Sequence, residues 1–530
     1  MPDLVLYDTT LRDGAQSEGI SLSATDKLRI TQRLDALGIP YVEGGWPANP
    51  KDLEYFRKAR KLKLKQAVVV AFGSTRRAHA KVADDFVLKG LLAAQTTVIT
   101  IFGKSWDLHV HEVLKTSLEE NLKMIRESVE HLKSKRSEVI YDAEHFFDAY
   151  RANPDYAMQT LEAARAAGAD TIVLCDTNGG SMPDYVADTV RAVAASVRVP
   201  LGIHVHNDGE MAVANTLAAV QAGCRQVQGT INGYGERCGN ANLCSIIPLL
   251  QLKLGIPVVS DAQLKSLTAV SRFVAEVCNM KPQDNQPFVG ESAFAHKAGV
   301  HINAVMKNPK SYEHMEAEQV GNQRRLLVSE LGGKTTILVK AKNLNVVLGK
   351  DTPAAKKVWK LVQRLEHAGY SFEGAEGSFE LLLRRALDKK AARFFDLKGF
   401  RLIVERANGR LTSEATIKLT VKGVSEQSVA EGHGPVHALD QALRKALARF
   451  YPTLAQMHLS DFKVRVIDEQ AGTAARVRVL IQSHDADDSW WTVGVSDNVI
   501  EASWQALADS VDYKLTKDRA ASPDLRPARH

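Results

Sequence analysis

The stretch "HVHND", His204 to Asp208, follows the apolar run Val199-Pro200-Leu201-Gly202-Ile203. In an extended strand residues i and i+2 project to one face, so His204 and His206 stand side by side. Two imidazoles so placed, joined by a carboxylate from elsewhere, grip a divalent cation. The competing reading is one core histidine and one solvated one. What decides between them is whether the fold brings further ligands to the same place.

Short Val/Ile/Leu-rich runs recur through the first half of the chain, separated by segments of helical period. They read LVLYDTT from Leu4, YVEGGWP from Tyr41, QAVVVAFGS from Gln66 and TVITIFGKS from Thr97. EVIYDAEHF from Glu138, TIVLCDTNGG from Thr171, LGIHVHND from Leu201 and QVQGTINGYGER from Gln226 complete the set. Between them TSLEENLKMIRESVEHLKSK and NPDYAMQTLEAARAAGA read as capped amphipathic helices. Eight such βα units predict a closed (β/α)8 TIM barrel, with a doubly wound open sheet as the alternative. The barrel is preferred because polar and glycine residues gather at the C-terminal end of every run, where barrels build their sites.

That rim carries Asp8, Arg12, Asp13, Glu43, Arg76, Arg77, Ser105, Asp107, Glu144, His145, Asp176, Thr177 and Asn178, then HVHND and finally GYGERCGNAN. In a closed barrel strand 1 borders strand 8, beside strand 7. Asp13 can then meet His204 and His206, and Asn240 can offer an amide oxygen. The expected centre takes Zn, Mg or Mn, with Fe(II) less favoured. Five cysteines without a CxxC pair exclude a thiolate zinc site and a disulfide framework.

Three motifs together, "DTTLRDGAQ" (Asp8 to Gln16), "HVHND" and "GERCGNAN" (Gly235 to Asn242), resemble those of the metal-dependent acyl-CoA condensing enzymes, the isopropylmalate, homocitrate and citramalate synthases. "EGGWPANPKD", "FGSTRR" and "KSWDLHV" look most like the long-form citramalate synthases, and the likeness runs to about residue 515. It implies a Claisen condensation of acetyl-CoA with pyruvate, then thioester hydrolysis to citramalate and CoA, opening a threonine-independent route to isoleucine. Through the resemblance Arg12 stabilises the developing oxyanion, Glu144 orients that arginine or handles a proton, and Thr177 binds the substrate carboxylate. "AHKAGVHINAV" is similar to the segment that brings a catalytic histidine from the partner subunit of a homodimer. His301 is its best match, with Tyr312 as companion and His296 as the competing choice. Asp142 stands where shorter citramalate synthases place an aromatic in the pyruvate pocket, and is read as substrate-binding. Arg76 and Arg77 are read as contacts for CoA phosphates, with a surface charge pair as the alternative. GYGERCG lacks the spacing and following βαβ unit of a dinucleotide fingerprint.

The expected domains are the barrel at 1–254, a helical connecting subdomain at 255–394 that completes the active site, an α+β regulatory or dimerising domain at 395–517, and a flexible tail at 518–530. In the third, EATIKLTVKG then GPVHALDQALRKALARF echoes ARVRVLIQS then WWTVGVSDNVIEASWQALADSV, an internal repeat. Helix N-termini near Gly434-Pro435 and Asp497-Asn498 would accept an amino-acid carboxylate, which implies feedback by isoleucine. A purely dimerising role is the alternative. A net charge of +6 spread over 530 residues makes nucleic acid a poor partner. With no leader and no membrane-length apolar run, a cytoplasmic protein is expected. Rival readings are isopropylmalate synthase, homocitrate synthase, a related acyl-CoA lyase, and a catalytically dead amino-acid sensor.

Overall fold

The computed structural model describes residues 4–135, 138–327, 341, 352–387, 393–407, 409–467 and 475–521. The eight runs fold as β1 (Val5–Asp8), β2 (Tyr41–Gly45), β3 (Val68–Ser74), β4 (Val98–Lys104), β5 (Glu138–Glu144), β6 (Thr171–Asp176), β7 (Leu201–Val205) and β8 (Gln226–Gly229). They close a parallel barrel in sequence order, with Val5 to Asp8 of β1 registered against Gln226 to Gly229 of β8. The expected TIM barrel is therefore the observed fold. Strands such as TIVLCD are buried along their whole length, because a parallel strand has helices on one face and the barrel interior on the other.

The crossover helices start where the sequence places caps. Ser23 and Asp26 form a capping box on helix Ala24–Leu37, Ser117 caps Leu118–Lys133, and Asn153 caps Pro154–Ala166. Each cap satisfies amides that the first helical turn leaves open and so sets where the preceding loop ends.

The chain forms two compact units, Met1–Phe294 with Met315–Arg324, and Ala295–His314 with Arg325–His530. The barrel unit runs beyond residue 254 because helix Leu267–Val277 buries Leu267, Val270 and Val274 in the barrel's own apolar core. In the second unit β9 (Ala295–His296) pairs with β10 (Arg325–Leu326), and helices Pro353–His367 and Glu376–Leu387 follow. Two antiparallel sheets then repeat one plan. β11 (Asp396–Ala407), β12 (Arg410–Val421) and β13 (Val424–Gly432) precede helix Pro435–Leu447. β14 (His458–Val466), β15 (Val477–His484) and β16 (Ser489–Ser496) precede helix Val499–Ala521.

The start of the expected tail at 518 needs correction. The last helix continues to Ala521, held by Lys514, which pairs with Asp518 at 2.7 Å and Asp485 at 3.0 Å. The remainder of the tail lies outside the described residues. None of the described helices is long and apolar enough to cross a membrane.

Candidate active site

β7 carries His204 inward, and His206 sits one residue past the strand, fixed by a bridge to Asn240. Asp13 arrives from the turn after β1. Its Oδ2 lies 3.4 Å from His204 Nε2 and 3.8 Å from His206 Nε2, and the two imidazole nitrogens are 3.4 Å apart. All three side chains are buried. Donors bound at about 2.0–2.2 Å to one ion would stand roughly 3–4 Å apart, so this spacing suits a metal. Asp13 Oδ1 and Asn240 Oδ1 are also buried without a hydrogen-bond partner, which adds unsatisfied donor capacity at the same place. Asp13, His204 and His206 are the one such cluster of His, Cys, Asp and Glu among the described residues.

The local electrostatics prepare Asp13 and His206 in the protonation state a cation needs. Burial would raise the Asp13 carboxyl, but Arg12 and His204 overcome it and hold it well below the usual carboxylate range. Burial, then the adjacent His204, pushes His206 down to about 4, keeping it neutral. His204 is desolvated too, yet Asp13 raises it.

The loop after β8 can deliver Asn240 only because it is glycine-rich. Gly233 and Gly239 have φ of +70° and +94°, and a Cβ on Gly239 would fall 2.0 Å from the Gly233 carbonyl oxygen. Ser17 ties this loop to the β1 turn, accepting from Gly235 N–H at 2.7 Å and donating to its carbonyl at 2.8 Å.

Beside the triad Arg12 is clamped. Its Nη1 lies 3.2 Å from Asp13 Oδ2, its Nε donates to Glu43 Oε1 at 2.5 Å, and its guanidinium rests 3.8 Å above the Phe72 ring centroid. Glu43 also accepts from Tyr7 Oη at 2.5 Å and Thr9 Oγ1 at 2.6 Å. Triad and arginine open into a cavity of about 580 Å³ whose walls include Leu11, Phe72, Phe102, Asp142, Glu144 and Thr177. A cationic planar donor beside a metal-type triad in a mostly polar pocket with an apolar flank suits a small 2-oxo acid.

Residues 3–274 match the HMGL-like family, 288–369 the homocitrate synthase post-HMGL domain-like family, and 373–515 the LeuA allosteric (dimerisation) domain. An (R)-citramalate synthase of Aquifex aeolicus is 56% identical over 517 residues, covering 97% of this chain and 98% of that protein. One from Geobacter sulfurreducens is 55% identical, covering 97% of each chain. The chain belongs to the citramalate synthase family. A 2-isopropylmalate synthase of Methanocaldococcus jannaschii also aligns with 98% of this chain and 96% of its own length, but at 30% identity.

Set in the citramalate synthase family, several expected roles change. Glu144 does not orient Arg12: it pairs with Lys104, and the clamp on the arginine is Glu43. Asp142 lines the cavity, but Oδ1 accepts from Gln228 Nε2 at 3.1 Å, and burial followed by the neighbouring Glu43 pushes its carboxyl up to about 7. Thr177 Oγ1 accepts the His145 amide at 2.9 Å, leaving its own proton for another acceptor. Arg76 does not face the cavity. It is 2% exposed and bound to Glu120 at 2.8 Å and Glu127 at 2.7 Å, an internal ion network that leaves no surface for a phosphate. Arg77 is exposed and turned to Asp85 and Phe86, also away from the cavity walls.

His301 and Tyr312 belong to the second compact unit, where their rings stack 4.2 Å apart on and just after helix Gly299–Lys307. The competing His296 is engaged by Glu313 at 3.0 Å, while His301 is exposed. Glu43 stood on the predicted rim without a role, and Gln228 was not singled out. Its signal was a pair of amides, Gln226 and Gln228, facing inward from a strand whose neighbours are apolar.

Proposed function

We propose that this protein is an (R)-citramalate synthase, joining acetyl-CoA, pyruvate and water into citramalate and CoA at the rim of its barrel. The observation that carries the reading is Arg12, held by Glu43 against Asp13 of the triad and facing the cavity. Asp13, His204 and His206, with Asn240, would hold a divalent metal (Zn, Mn or Mg). Bound there, it supplies Lewis-acid polarisation of the keto group.

The residues of the chain do the rest. Thr177 donates to the pyruvate carboxylate. His301, supported by Tyr312 and contributed across the subunits of a homodimer, removes a proton from the acetyl methyl. The new bond joins that carbon to the keto carbon, and the electron pair displaced onto oxygen develops beside the Arg12 guanidinium. Water then cleaves the thioester, releasing the CoA thiol and leaving a carboxylate. Leu11, Phe72 and Phe102 offer an apolar wall to the methyl of pyruvate. With Arg76 and Arg77 turned away, the CoA phosphates are bound elsewhere on the rim.

The C-terminal repeat serves as an effector and dimer domain with isoleucine as the ligand. A cavity of about 1090 Å³ supports this, lined by Val436, Met457, Leu459 and Phe462 together with Gln441 and Lys445. Of the two helix starts expected to receive an effector carboxylate, the second is taken: Asn498 Oδ1 accepts the Ile500 amide at 2.8 Å. The cytoplasm is the compartment in which these substrates would be met.

The test is CoA thiol release by metal-replete protein given acetyl-CoA with pyruvate, 2-oxobutyrate, 2-oxoisovalerate or 2-oxoglutarate, with and without chelator. Pyruvate should lead, and chelation should abolish release. Preference for 2-oxoisovalerate would move the protein to isopropylmalate synthase, and no release with any acceptor would remove the catalytic reading.

A further inference from the structure

Three barrel strands contribute to a line of side chains that ends at the candidate metal centre. Asp142 on β5, Gln228 on β8 and His204 on β7 are all buried, with Gln228 fully so. Gln228 Nε2 donates to Asp142 Oδ1 at 3.1 Å, and Gln228 Oε1 lies 2.9 Å from His204 Nδ1. Asp142 Oδ1 is the acceptor here, as a carboxylate oxygen or as the carbonyl oxygen of the acid, so the amide presents nitrogen to it and oxygen to the imidazole. An amide oxygen only accepts, so the hydrogen of His204 must sit on Nδ1. The lone pair then falls on Nε2, the atom that faces Asp13 and His206.

We infer that Asp142 and Gln228 are positioning residues that lock His204 in its ligating tautomer. This rests on the metal-site reading above and goes beyond it. It also gives Asp142 a role other than that of a substrate-pocket wall. Buried partners of this kind fix ring orientation and tautomer, and losing one weakens metal binding by about 10–100-fold. His206 provides the contrast. Its Nδ1 has no hydrogen-bond partner, so only His204 of the pair is held by such a line.

The test uses the full chain stripped of metal by chelator and titrated calorimetrically with Mn²⁺ alone, melting temperatures being read in parallel. Gln228→Leu removes the acceptor and should weaken Mn²⁺ binding by about 10–100-fold. Gln228→Glu keeps an acceptor for His204 but sets a second carboxyl against Asp142, and should weaken binding similarly. Adding Asp142→Asn to Gln228→Glu restores a donor and acceptor in sequence, so the double variant should recover to within about threefold of wild type. A merely structural role would not produce that rescue. If the Gln228 variants do not fold, Asp142→Leu carries the test, since an amide free to flip should cost roughly tenfold in affinity. Unchanged affinity in Gln228→Leu, or a double variant as weak as Gln228→Glu alone, overturns the relay while leaving the metal site standing. Folded wild-type protein that binds no Mn²⁺ overturns the metal reading and the relay with it.

Discussion

Glu43 has no solvent exposure and three neighbours donate to it: Arg12, Tyr7 and Thr9. A buried carboxylate so placed is costly to keep and costlier to lose, because neutralising it strands the Arg12 cation in a dry pocket. The Arg12 charge is maintained against burial by Glu43 and Asp13. In Glu43→Gln, the amide would turn N–H groups toward existing donors. The expected result is a fall in kcat for thiol release of about 10²-fold or more, with a loss of stability near 3 kcal/mol in denaturant melts. A kcat within a few-fold of wild type would show that Arg12 needs no clamp.

The elements meet at the turns, and the turn after β1 shows how one residue joins two of them. Asp8 accepts from the Thr10 amide at 2.9 Å and the Thr10 hydroxyl at 2.8 Å, and Thr10 Oγ1 in turn accepts from Ile231 N–H at 2.9 Å, just past β8. Burial pushes the Asp8 carboxyl up to about 7, only partly offset by Thr10. Its folded value thus exceeds the unfolded value of about 3.9, so its favourable contribution is complete below about pH 4 and disappears as pH rises through 7. Asp8→Asn removes that titration. The melting temperature of wild type minus that of the variant, scanned calorimetrically with chelator present, should decline from pH 4 to pH 7. A flat difference would mean that Asp8 ionises alike in the folded and unfolded states.

At the scale of the molecule, the C-terminal sheets leave open edges among the described residues. β14 is exposed along nearly its whole length, including Leu459, Phe462, Val464 and Val466, and Ile403 and Val404 of β11 are exposed as well. An unpaired apolar edge is a template for another chain unless something covers it. A second copy is the natural cover for a domain of the LeuA dimerisation family. Sedimentation velocity should therefore find a dimer. Val464→Lys, at a position 47% exposed in the single chain, should raise the monomer fraction and lower activity together, because the role proposed for His301 is across subunits. A wild-type monomer with full activity would defeat both parts.

The local patterns of this sequence were enough to determine the eight strands, their capped helices, the doubled C-terminal plan and the triad of Asp13, His204 and His206. Each follows from a short-range rule, alternation of side-chain direction, a cap before an apolar period, a repeated pattern, or polar residues gathered at one end of a run, with barrel closure then bringing Asp13 to the two histidines. The partners of charged groups did not follow from such rules. Arg76 looked like a phosphate contact and proved to be an internal ion pair, Glu144 yielded the arginine to Glu43, and Asp142 found Gln228, 86 residues away. Composition and spacing say which groups reach the rim. Which of them pair depends on side-chain directions set only when the barrel closes, since Coulomb and hydrogen-bond energies change steeply over a few ångströms in a buried site.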